Sequence, residues 1–318
     1  MKKNFKNKKI LITGGTGFLG RSLIKKLKLI GCKNLYVASH KKYNLVSEKD
    51  VKRLFKYFKP NIVFHLAASV GGIGINKLNP GKFFYENSLI NLFTIHHSYL
   101  NKVEKVISTG SVSSYPENTS LPFDEKNIWD GYPEEVNASY GIAKRIIHTH
   151  SLSYMKQYNF KSHLLLLTNL YGPNDNFNPK SSHVVAALIK KFYEGKIKNK
   201  KFVEVWGDGK ATRDFCFVDD IVEGLILTAK KYKKIEPLNL GSGKEISIKY
   251  LANLIKSKIG YKGKIKWLKN KPTGPKRRIL KIKKAKKEIG YKPKIDIHTG
   301  LNKTINWYLQ NYKAIDQK

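Results

Sequence analysis

The feature that most constrains the fold is a glycine-rich turn, TGGTGFLG at Thr13 to Gly20, near the start of the chain. Lys9 to Ile12 before it read as a short buried strand, and Arg21 to Leu29 after it read as an amphipathic helix. In a strand–turn–helix unit of this kind, glycines permit the tight turn, let the backbone approach a pyrophosphate and let helix and strand pack closely. The helix N-terminus also offers unpaired N–H groups to an anion. The G-x-x-G-x-x-G spacing therefore predicts a dinucleotide-binding unit.

The segment after the second predicted strand indicates which dinucleotide is bound. An acidic residue there grips the ribose 2′-hydroxyl of NAD, whereas cationic groups accommodate a 2′-phosphate. Leu35 to Ala38 run into Ser39-His40-Lys41-Lys42, which contains no carboxylate. We therefore predict NADPH as the cofactor, with His40 and Lys41 near the 2′-phosphate. The other residues predicted to contact the cofactor are Gly14, Gly17, Phe18, Leu19, Gly20, Ala67, Tyr140 and Lys144.

Apolar strand-like runs alternate with helical segments through the first half of the chain. The predicted strands are Ile10 to Thr13, Leu35 to Ala38, Ile62 to Leu66, Lys105 to Thr109 and His163 to Thr168. This alternation predicts an α/β fold, with a Rossmann-type doubly wound parallel sheet covered on both faces. Ligands of such sheets bind beyond the carboxyl ends of the strands.

A second, smaller α/β substrate lobe is predicted where the pattern changes beyond Tyr171. Loops with Asn, Pro and Gly and short elements follow there. Phe215 to Asp219, with the helix after them, and Leu238 to Gly241 read as returns to the main sheet. We expect a dinucleotide-binding domain over 1–170 with returning segments at about 214–242, and the substrate lobe over 171–213 and 243–318.

Tyr140 and Lys144 lie one helical turn apart in the segment Ser-Tyr-Gly-Ile-Ala-Lys. Residues four apart share a helix face, so we expect the Lys144 ammonium to lie near the Tyr140 phenol and to lower its pKa. A tyrosine tuned in this way donates a proton to a carbonyl oxygen as hydride arrives at the carbon. The pair alone is a weak motif, but behind a dinucleotide turn it predicts carbonyl reduction.

The formal net charge is +38, with 61 Lys plus Arg against 23 Asp plus Glu. Only 6 of the 61 cationic residues are arginine, and base readout and bidentate phosphate recognition depend on arginine. We therefore expect no specific nucleic-acid partner. Incidental polyanion binding by the lysine-rich stretch Lys256 to Lys294 stays an alternative. A positive field would also attract an anionic substrate.

Other classes of site and location are constrained by a few residue types. The two cysteines are far apart in sequence, so no disulfide framework is implied and a cytoplasmic location is expected. The chain has no apolar run of ~18 residues, so we expect no membrane span. His96, His97, His148 and His150 lack carboxylate or cysteine partners at metal-site spacing, and we predict no metal.

With these residues assembled, the chain resembles the extended short-chain dehydrogenase/reductases over nearly all of its length. Within that family it is similar to the enzymes that epimerise and reduce GDP-4-keto-6-deoxy-mannose to GDP-L-fucose. The segments that carry the resemblance are Val70 to Ile73, Phe84 to Asn87, Gly110-Ser111, Tyr115-Pro116, Asn169 to Phe177, Ser182-His183-Val184, Val205 to Gly209, Arg213 and Val218 to Asp220. The resemblance implies NADPH-dependent reduction of the 4-keto group of a GDP-4-keto-6-deoxy-hexose, and a homodimer.

The resemblance also implies roles for individual residues. Ser111, Tyr140 and Lys144 would form the reductase triad, in which Ser111 binds the keto oxygen, Tyr140 donates the proton and Lys144 binds the nicotinamide ribose. The residues implied to bind the GDP-sugar are Asn169, His183, Lys191, Trp206, Arg213 and Arg278. Two alternatives come from the residues themselves: an exposed ion pair between Arg213 and Asp214, and a core position for Trp206.

One position departs from the family pattern. A cysteine two residues after the triad serine pairs in the family with the histidine of the Ser-His-Val segment to move protons at C3 and C5, and here Ser113 stands in its place while His183 is kept. A thiol of pKa about 8.5 is a workable base, whereas a serine hydroxyl needs a separate base. Three outcomes are possible. Water or a neighbouring group takes the place of the missing thiol as the base, His183 moves the protons alone, or epimerisation is lost and a plain 4-reductase remains. We expect intact reduction with impaired or absent epimerisation.

Three other functions are compatible with a Rossmann scaffold. A nucleotide-sugar 4-epimerase shares the Tyr-Lys pair but keeps its nicotinamide through the cycle. The 4,6-dehydratases place an Asp-Glu pair just after the triad serine or threonine, and Val112-Ser113-Ser114 here counts against dehydration. A nucleotide-sensing protein without activity would be expected to lose part of the triad, which is complete here.

Overall fold

The computed structural model describes residues 3–71, 78–179, 181–271 and 274–316. Gly72 and Ile73 of the predicted Val70 to Ile73 motif lie outside the described residues. The strands are β1 (Ile10–Thr13), β2 (Leu35–Ala38), β3 (Ile62–His65), β4 (Lys105–Ser111), β5 (Ser162–Leu167), β6 (Asn169–Tyr171), β7 (Phe202–Trp206), β8 (Thr212–Phe217), β9 (Leu238–Leu240), β10 (Glu245–Ser247), β11 (Lys264–Leu268) and β12 (Arg277–Arg278).

The helices separate the strands of the first half of the chain. They are α1 (Lys3–Lys6), α2 (Phe18–Leu29), α3 (Glu48–Phe58), α4 (Pro80–Leu100), α5 (Glu135–Tyr158), α6 (Val184–Ile197), α7 (Val218–Lys231), α8 (Ile248–Ile259), α9 (Lys283–Ile289) and α10 (Ile297–Asp316). Short 3₁₀ turns lie at Val112–Ser114 and Glu125–Trp129.

A six-stranded sheet in the order β2-β1-β3-β4-β5-β9 forms the larger part of the fold, and every pair in it is parallel. Strand β2 lies on one side of β1, and β3 lies on the other side. Ligands of such parallel sheets bind at the carboxyl ends of the strands where the strand order changes side in this way. Helix α2 packs against α7, and α3, α4 and α5 pack in series. The predicted α/β fold with a doubly wound parallel sheet is confirmed.

The first strand and helix form where the sequence predicted them. All four residues of β1 are buried, as expected for a central strand covered on both faces. Helix α2 begins at Phe18, three residues before the predicted start, and buries Gly20, Leu23 and Leu27 at helical spacing.

The prediction that Phe215 to Asp219 rejoin the main sheet is wrong for the strand. Strand β8 belongs to a second sheet, where it pairs antiparallel with β10 and parallel with β12 and β6. An apolar run shows that a strand is buried but not which sheet it joins, and β6 leads the chain out of the main sheet one residue after β5. The helix that follows, α7, does pack on the main sheet at β4. The predicted return at Leu238 to Leu240 is confirmed by the pairing of β9 with β5.

Two hydrophobic clusters fill the interior. The larger one includes β1, β3, β4 and β5, and the smaller one includes α6, α8 and α10. Leu19, in the first turn of α2, packs against both. Leu280 and Tyr291, which flank α9, lie in the larger cluster. The domain boundaries predicted above stay a prediction.

Within the part of the chain that the structure describes, no helix has the length and apolar character needed to cross a membrane. The two cysteines, Cys32 and Cys216, are buried and free.

Candidate active site

The glycine turn between β1 and α2 has no room for larger residues. Gly14 has φ +68°, and a Cβ added to it would lie 2.8 Å from the Ala67 nitrogen. A Cβ on Gly20 would lie 2.4 Å from the Gly14 carbonyl oxygen. Gly17 is the residue that precedes helix α2. The backbone therefore passes close to the end of β3, and the helix N-terminus faces the same edge of the sheet.

The end of β2 is cationic. His40 and Lys41 are exposed in the turn that follows the strand. The Lys42 ammonium lies 5.3 Å from the centre of the Tyr57 ring, and Arg53 Nη2 donates to the Lys42 carbonyl at 2.7 Å. A 2′-phosphate at this edge would meet positive charge; its contact with His40 and Lys41 stays a prediction.

A buried hydrogen-bond chain joins the glycine turn to helix α5. Thr13 Oγ1 lies 2.8 Å from His65 Nδ1, and His65 Nε2 lies 3.0 Å from Asn91 Oδ1. Asn91 Nδ2 donates to the Ala143 carbonyl at 2.9 Å. Because Asn91 Nδ2 is the donor, Asn91 Oδ1 accepts from His65 Nε2, and His65 Nδ1 accepts from the Thr13 hydroxyl. Burial, and then the charge of Lys144, lower the pKa of His65 to about 3, so the ring is neutral.

Tyr140 and Lys144 lie on α5, and Lys144 is fully buried. The Lys144 ammonium is 5.8 Å from the centre of the Tyr140 ring. Burial raises the pKa of Tyr140 to about 12 and lowers the pKa of Lys144 to about 8. The predicted net lowering of the Tyr140 pKa is therefore wrong, because burial outweighs the effect of the Lys144 charge. Lys144 is fully and Tyr140 partly removed from water, and desolvation favours the neutral form of each.

Ser111 and Ser113 lie on one tight turn at the carboxyl end of β4. Ser111 Oγ accepts from the Ser113 backbone N–H at 3.1 Å. A Cβ added to Gly141 of α5 would lie 2.6 Å from the Ser113 carbonyl oxygen. The glycine beside Tyr140 therefore lets the serine turn lie directly against the helix. The structure thus places Ser111 and Ser113 beside the helix turn that carries Tyr140.

Ser113 contacts a cationic side chain from the second sheet. Arg278 Nη1 donates to Ser113 Oγ at 3.4 Å, and Arg278 Nη2 pairs with the Glu134 carboxylate. Among the described residues, no hydrogen bond joins Ser113 to His183. His183 directly precedes α6 and keeps part of its surface exposed to solvent, and the desolvation of its ring lowers its pKa.

Arg213 and Arg278 are paired residues on the neighbouring strands β8 and β12. Burial, and then the charge of Arg278, lower the pKa of Arg213 to about 10. Asp214 is fully buried, and its carboxylate accepts from Ser242 Oγ at 2.6 Å. The alternative of an exposed ion pair between Arg213 and Asp214 is therefore wrong. The Asp214 carbonyl accepts from Asn169 Nδ2 at 3.1 Å, which fixes the Asn169 amide beside β8.

The two other predicted substrate residues lie near β7. Trp206, at its end, has 52% of its surface exposed, so the alternative core position is wrong. Lys191 Nζ donates to the Glu204 carbonyl of β7 at 2.9 Å.

Sequence reasoning did not select Glu134 or Asn91 as part of the site. The available signal for Glu134 was an acidic residue six positions before Tyr140 in a chain with only 23 acidic residues. His65 was singled out as a polar residue at the carboxyl end of a predicted strand, but no role was predicted for it. Asn91 had no such signal, because its partners are far away in sequence.

The chain is similar to known proteins over most of its length. Residues 10–241 match the NAD dependent epimerase/dehydratase family. GDP-L-fucose synthase 1 from Arabidopsis thaliana is 36% identical over 306 residues, which cover 96% of this chain and 94% of that one. A GDP-6-OMe-4-keto-L-xylo-heptose reductase from Campylobacter jejuni has a TM-score of 0.91 and 31% identity, over 96% of this chain and 99% of that one. A GDP-mannoheptose C4 reductase from the same organism, solved with NADP bound, has a TM-score of 0.87 and 31% identity, over 96% and 99%.

Proposed function

Because the chain belongs to the NAD dependent epimerase/dehydratase family, we propose that it uses NADPH to reduce the 4-keto group of a GDP-4-keto-6-deoxy-hexose. The observation that carries this proposal is the buried ammonium of Lys144 beside the Tyr140 ring, 5.8 Å from its centre, next to the Ser111–Ser113 turn. The similar proteins are named for GDP-sugar synthesis and GDP-sugar C4 reduction. A GDP-linked keto sugar is therefore the substrate class that fits both lines of support.

The site residues fit a nicotinamide dinucleotide. Lys144 Nζ is buried and has no hydrogen-bond partner within the described ranges, so a ribose hydroxyl would satisfy it. Gly17 gives α2 no side-chain cap, so the backbone N–H groups of the α2 N-terminus are left for a pyrophosphate. His40 and Lys41 would meet the 2′-phosphate. When bound, NADPH supplies a hydride to the carbonyl carbon.

Tyr140, Ser111 and Lys144 have different roles in proton transfer. Tyr140, with its pKa raised to about 12, holds its proton at neutral pH and donates it to the oxygen that becomes a hydroxyl. The Ser111 hydroxyl positions the same oxygen. The charge of Lys144 stabilises the phenolate that Tyr140 leaves behind. Each hydrogen bond in the series from Thr13 to Ala143 has one defined donor and one defined acceptor. This series therefore holds the glycine turn and α5 in one relative position.

The contacts of Ser113 support reduction without epimerisation. Arg278 is the side chain that bonds to its hydroxyl, and a guanidinium cannot accept a proton. Within the described ranges no base is hydrogen-bonded to Ser113, and such a serine is a poor proton acceptor for a carbon acid. We therefore propose a 4-reductase in which exchange at C3 and C5 is absent or slow. The second candidate keeps epimerisation through His183 alone, whose lowered pKa leaves it neutral and able to accept a proton.

Turnover in D₂O separates the two candidates. The protein is incubated with NADPH and GDP-4-keto-6-deoxy-mannose, and the product is examined by NMR. Reduction without deuterium at C3 and C5 is expected. Ser113→Cys is expected to gain label, because a thiolate is a workable base. Label at both carbons in the unaltered protein at turnover rates would refute the plain reductase, and absence of NADPH oxidation would refute the reduction itself.

We also propose a cytoplasmic homodimer. Helices α4 and α5 pack together and expose apolar side chains, among them Leu92, Leu100 and Tyr158. Such a patch is typical of an isologous interface. Light scattering on the eluting protein tests it, and a monomer at micromolar concentration would contradict it.

A further inference from the structure

Glu134 lies directly before α5, the helix that carries Tyr140. Its carboxylate accepts from Asn137 Nδ2 at 2.8 Å and pairs with Arg278 Nη2. The Glu134 and Arg278 side chains are 18% and 14% exposed, so most of this ion pair is removed from water. Ion pairs of this kind are strong when both partners have further hydrogen bonds, as these do.

The ion pair lies beside a second arginine. Strand pairing puts Arg213 of β8 opposite Arg278 of β12. Burial lowers the pKa of both arginines, and the charge of Arg278 lowers that of Arg213 further. The Glu134 carboxylate opposes this lowering of the pKa at both arginines, with Glu245 adding to it at Arg213 and Glu117 at Arg278. These three side chains carry two positive charges and one negative charge. Glu245 pairs with the neighbouring Arg277, so within the Glu134, Arg213 and Arg278 group a doubly negative ligand in place of Glu134 would balance the two arginines.

A diphosphate has the charge and the geometry for this replacement. Guanidinium groups bind phosphate through two parallel N–H donors. Arg278 Nη2 is committed to Glu134 and Arg278 Nη1 to Ser113. A diphosphate that uses Arg278 in the bidentate way therefore competes with Glu134.

We propose that Glu134 is the internal counter-ion of the Arg213–Arg278 pair, and that the diphosphate of the substrate displaces it from Arg278 on binding. This inference rests on the proposed GDP-sugar function. Glu134 then competes for Arg278 while product is bound and speeds product release. It is a positioning residue, since it acts through Arg278 and does not touch the reacting atoms.

The test uses Glu134→Gln, which removes the charge but keeps an oxygen that can accept from Asn137. GDP is expected to bind the NADPH-loaded variant about tenfold more tightly, because the competing carboxylate is gone. The kcat for reduction is expected to fall severalfold, because the GDP-linked product leaves more slowly. A merely structural defect would weaken GDP binding together with kcat. Calorimetry with GDP and steady-state kinetics measure the two effects.

Three further variants complete the experiment. Glu288→Gln removes the same charge from an ion pair with Lys234, 2.8 Å long, on α9, and is expected to leave GDP affinity unchanged. Glu134→Asp keeps the charge and is expected to bind GDP as the unaltered protein does. Glu134→Ala is expected to tighten GDP binding like Glu134→Gln, so the test does not depend on one variant folding.

The results distinguish failure of this inference from failure of the proposed GDP-sugar function. If the unaltered protein binds NADPH but not GDP, the proposed GDP-sugar function fails and this inference fails with it. If GDP binds the unaltered protein and Glu134→Gln binds it equally or more weakly, this inference alone is overturned. Equal tightening by Glu288→Gln would also overturn it, because the effect would then come from the general charge of the protein.

Discussion

Lys144 is a charged group held in a fully buried position. Its pKa is lowered from 10.5 to about 8 by burial. The unfolded chain keeps the ordinary value, so below about pH 8 the folded protein holds a charge that burial disfavours. Stability is therefore reduced at neutral pH and rises as the pH increases from about 8 to 10.5. The loss of stability occurs at a position where the Lys144 charge stabilises the Tyr140 phenolate during catalysis.

Lys144→Met is expected to make the protein more stable and inactive. At pH 7 the free energy of unfolding is expected to rise by about 1–3 kcal/mol, because an unpaired buried charge is removed. NADPH oxidation is expected to fall at least ~100-fold. Denaturant titration and an assay at 340 nm check the two effects.

Lys105→Met is the matched control. Burial also lowers the pKa of Lys105 to about 8, but its ammonium donates to the Ala229 and Tyr232 carbonyls at 3.1 and 2.8 Å. Its loss leaves two carbonyls without a donor, so destabilisation is expected. Equal destabilisation by both variants would contradict the account of Lys144.

The pH dependence of reduction follows from the same two groups. Tyr140, with a pKa of about 12, stays protonated through the neutral range. Lys144 loses its charge as the pH rises through about 8, so kcat/KM is expected to fall above that value. A profile from pH 6 to 10 measures this, and a rate that increases through pH 8 would contradict it.

At the scale of elements, the close contact between α5 and the turn after β4 determines the geometry of the triad. The contact depends on Gly141, because a Cβ there would lie 2.6 Å from the Ser113 carbonyl oxygen. A backbone oxygen in a short turn cannot move without moving Ser111. The position of Ser111 relative to Tyr140 therefore depends on the absence of a side chain at Gly141.

Gly141→Ala is expected to lower kcat by ~10- to 100-fold while NADPH affinity changes little, because a displacement of about 1 Å is costly for catalysis. Fluorescence titration with NADPH and steady-state kinetics separate the two quantities. Gly81→Ala in α4 is the control, since nothing lies within 4 Å of its added Cβ. It is expected to stabilise the protein slightly, as alanine favours helix over glycine. An unchanged kcat in Gly141→Ala would refute the argument.

At the scale of the whole molecule, the formal net charge of +38 produces a positive field over the surface. Such a field raises the local concentration of anions and is screened by salt. Affinity for GDP is expected to fall several-fold when salt rises from ~0.05 to ~0.5 M. Guanosine, which has no diphosphate, is the control and is expected to bind independently of salt. Equal salt dependence of both ligands would contradict attraction through charge.

Local sequence determined much of this protein. The glycine turn, strands β1 to β5 and helix α2 were predicted to within a few residues, because the spacing of apolar residues and glycines acts over one or two turns of chain. The family was predicted from short motifs and is confirmed. Tyr140 and Lys144 were selected from their spacing behind the glycine turn, and Ser111 from the family resemblance.

The tertiary structure alone decided what depends on distant residues. The pKa of Tyr140 is raised by burial, which spacing along a helix does not reveal. Strand β8 joins the second sheet, because its partners come from segments before and after it in the chain. Glu134 and Arg278 meet across 144 positions. Charge, burial and strand pairing act through space, so a pattern read along the chain could not place these groups together.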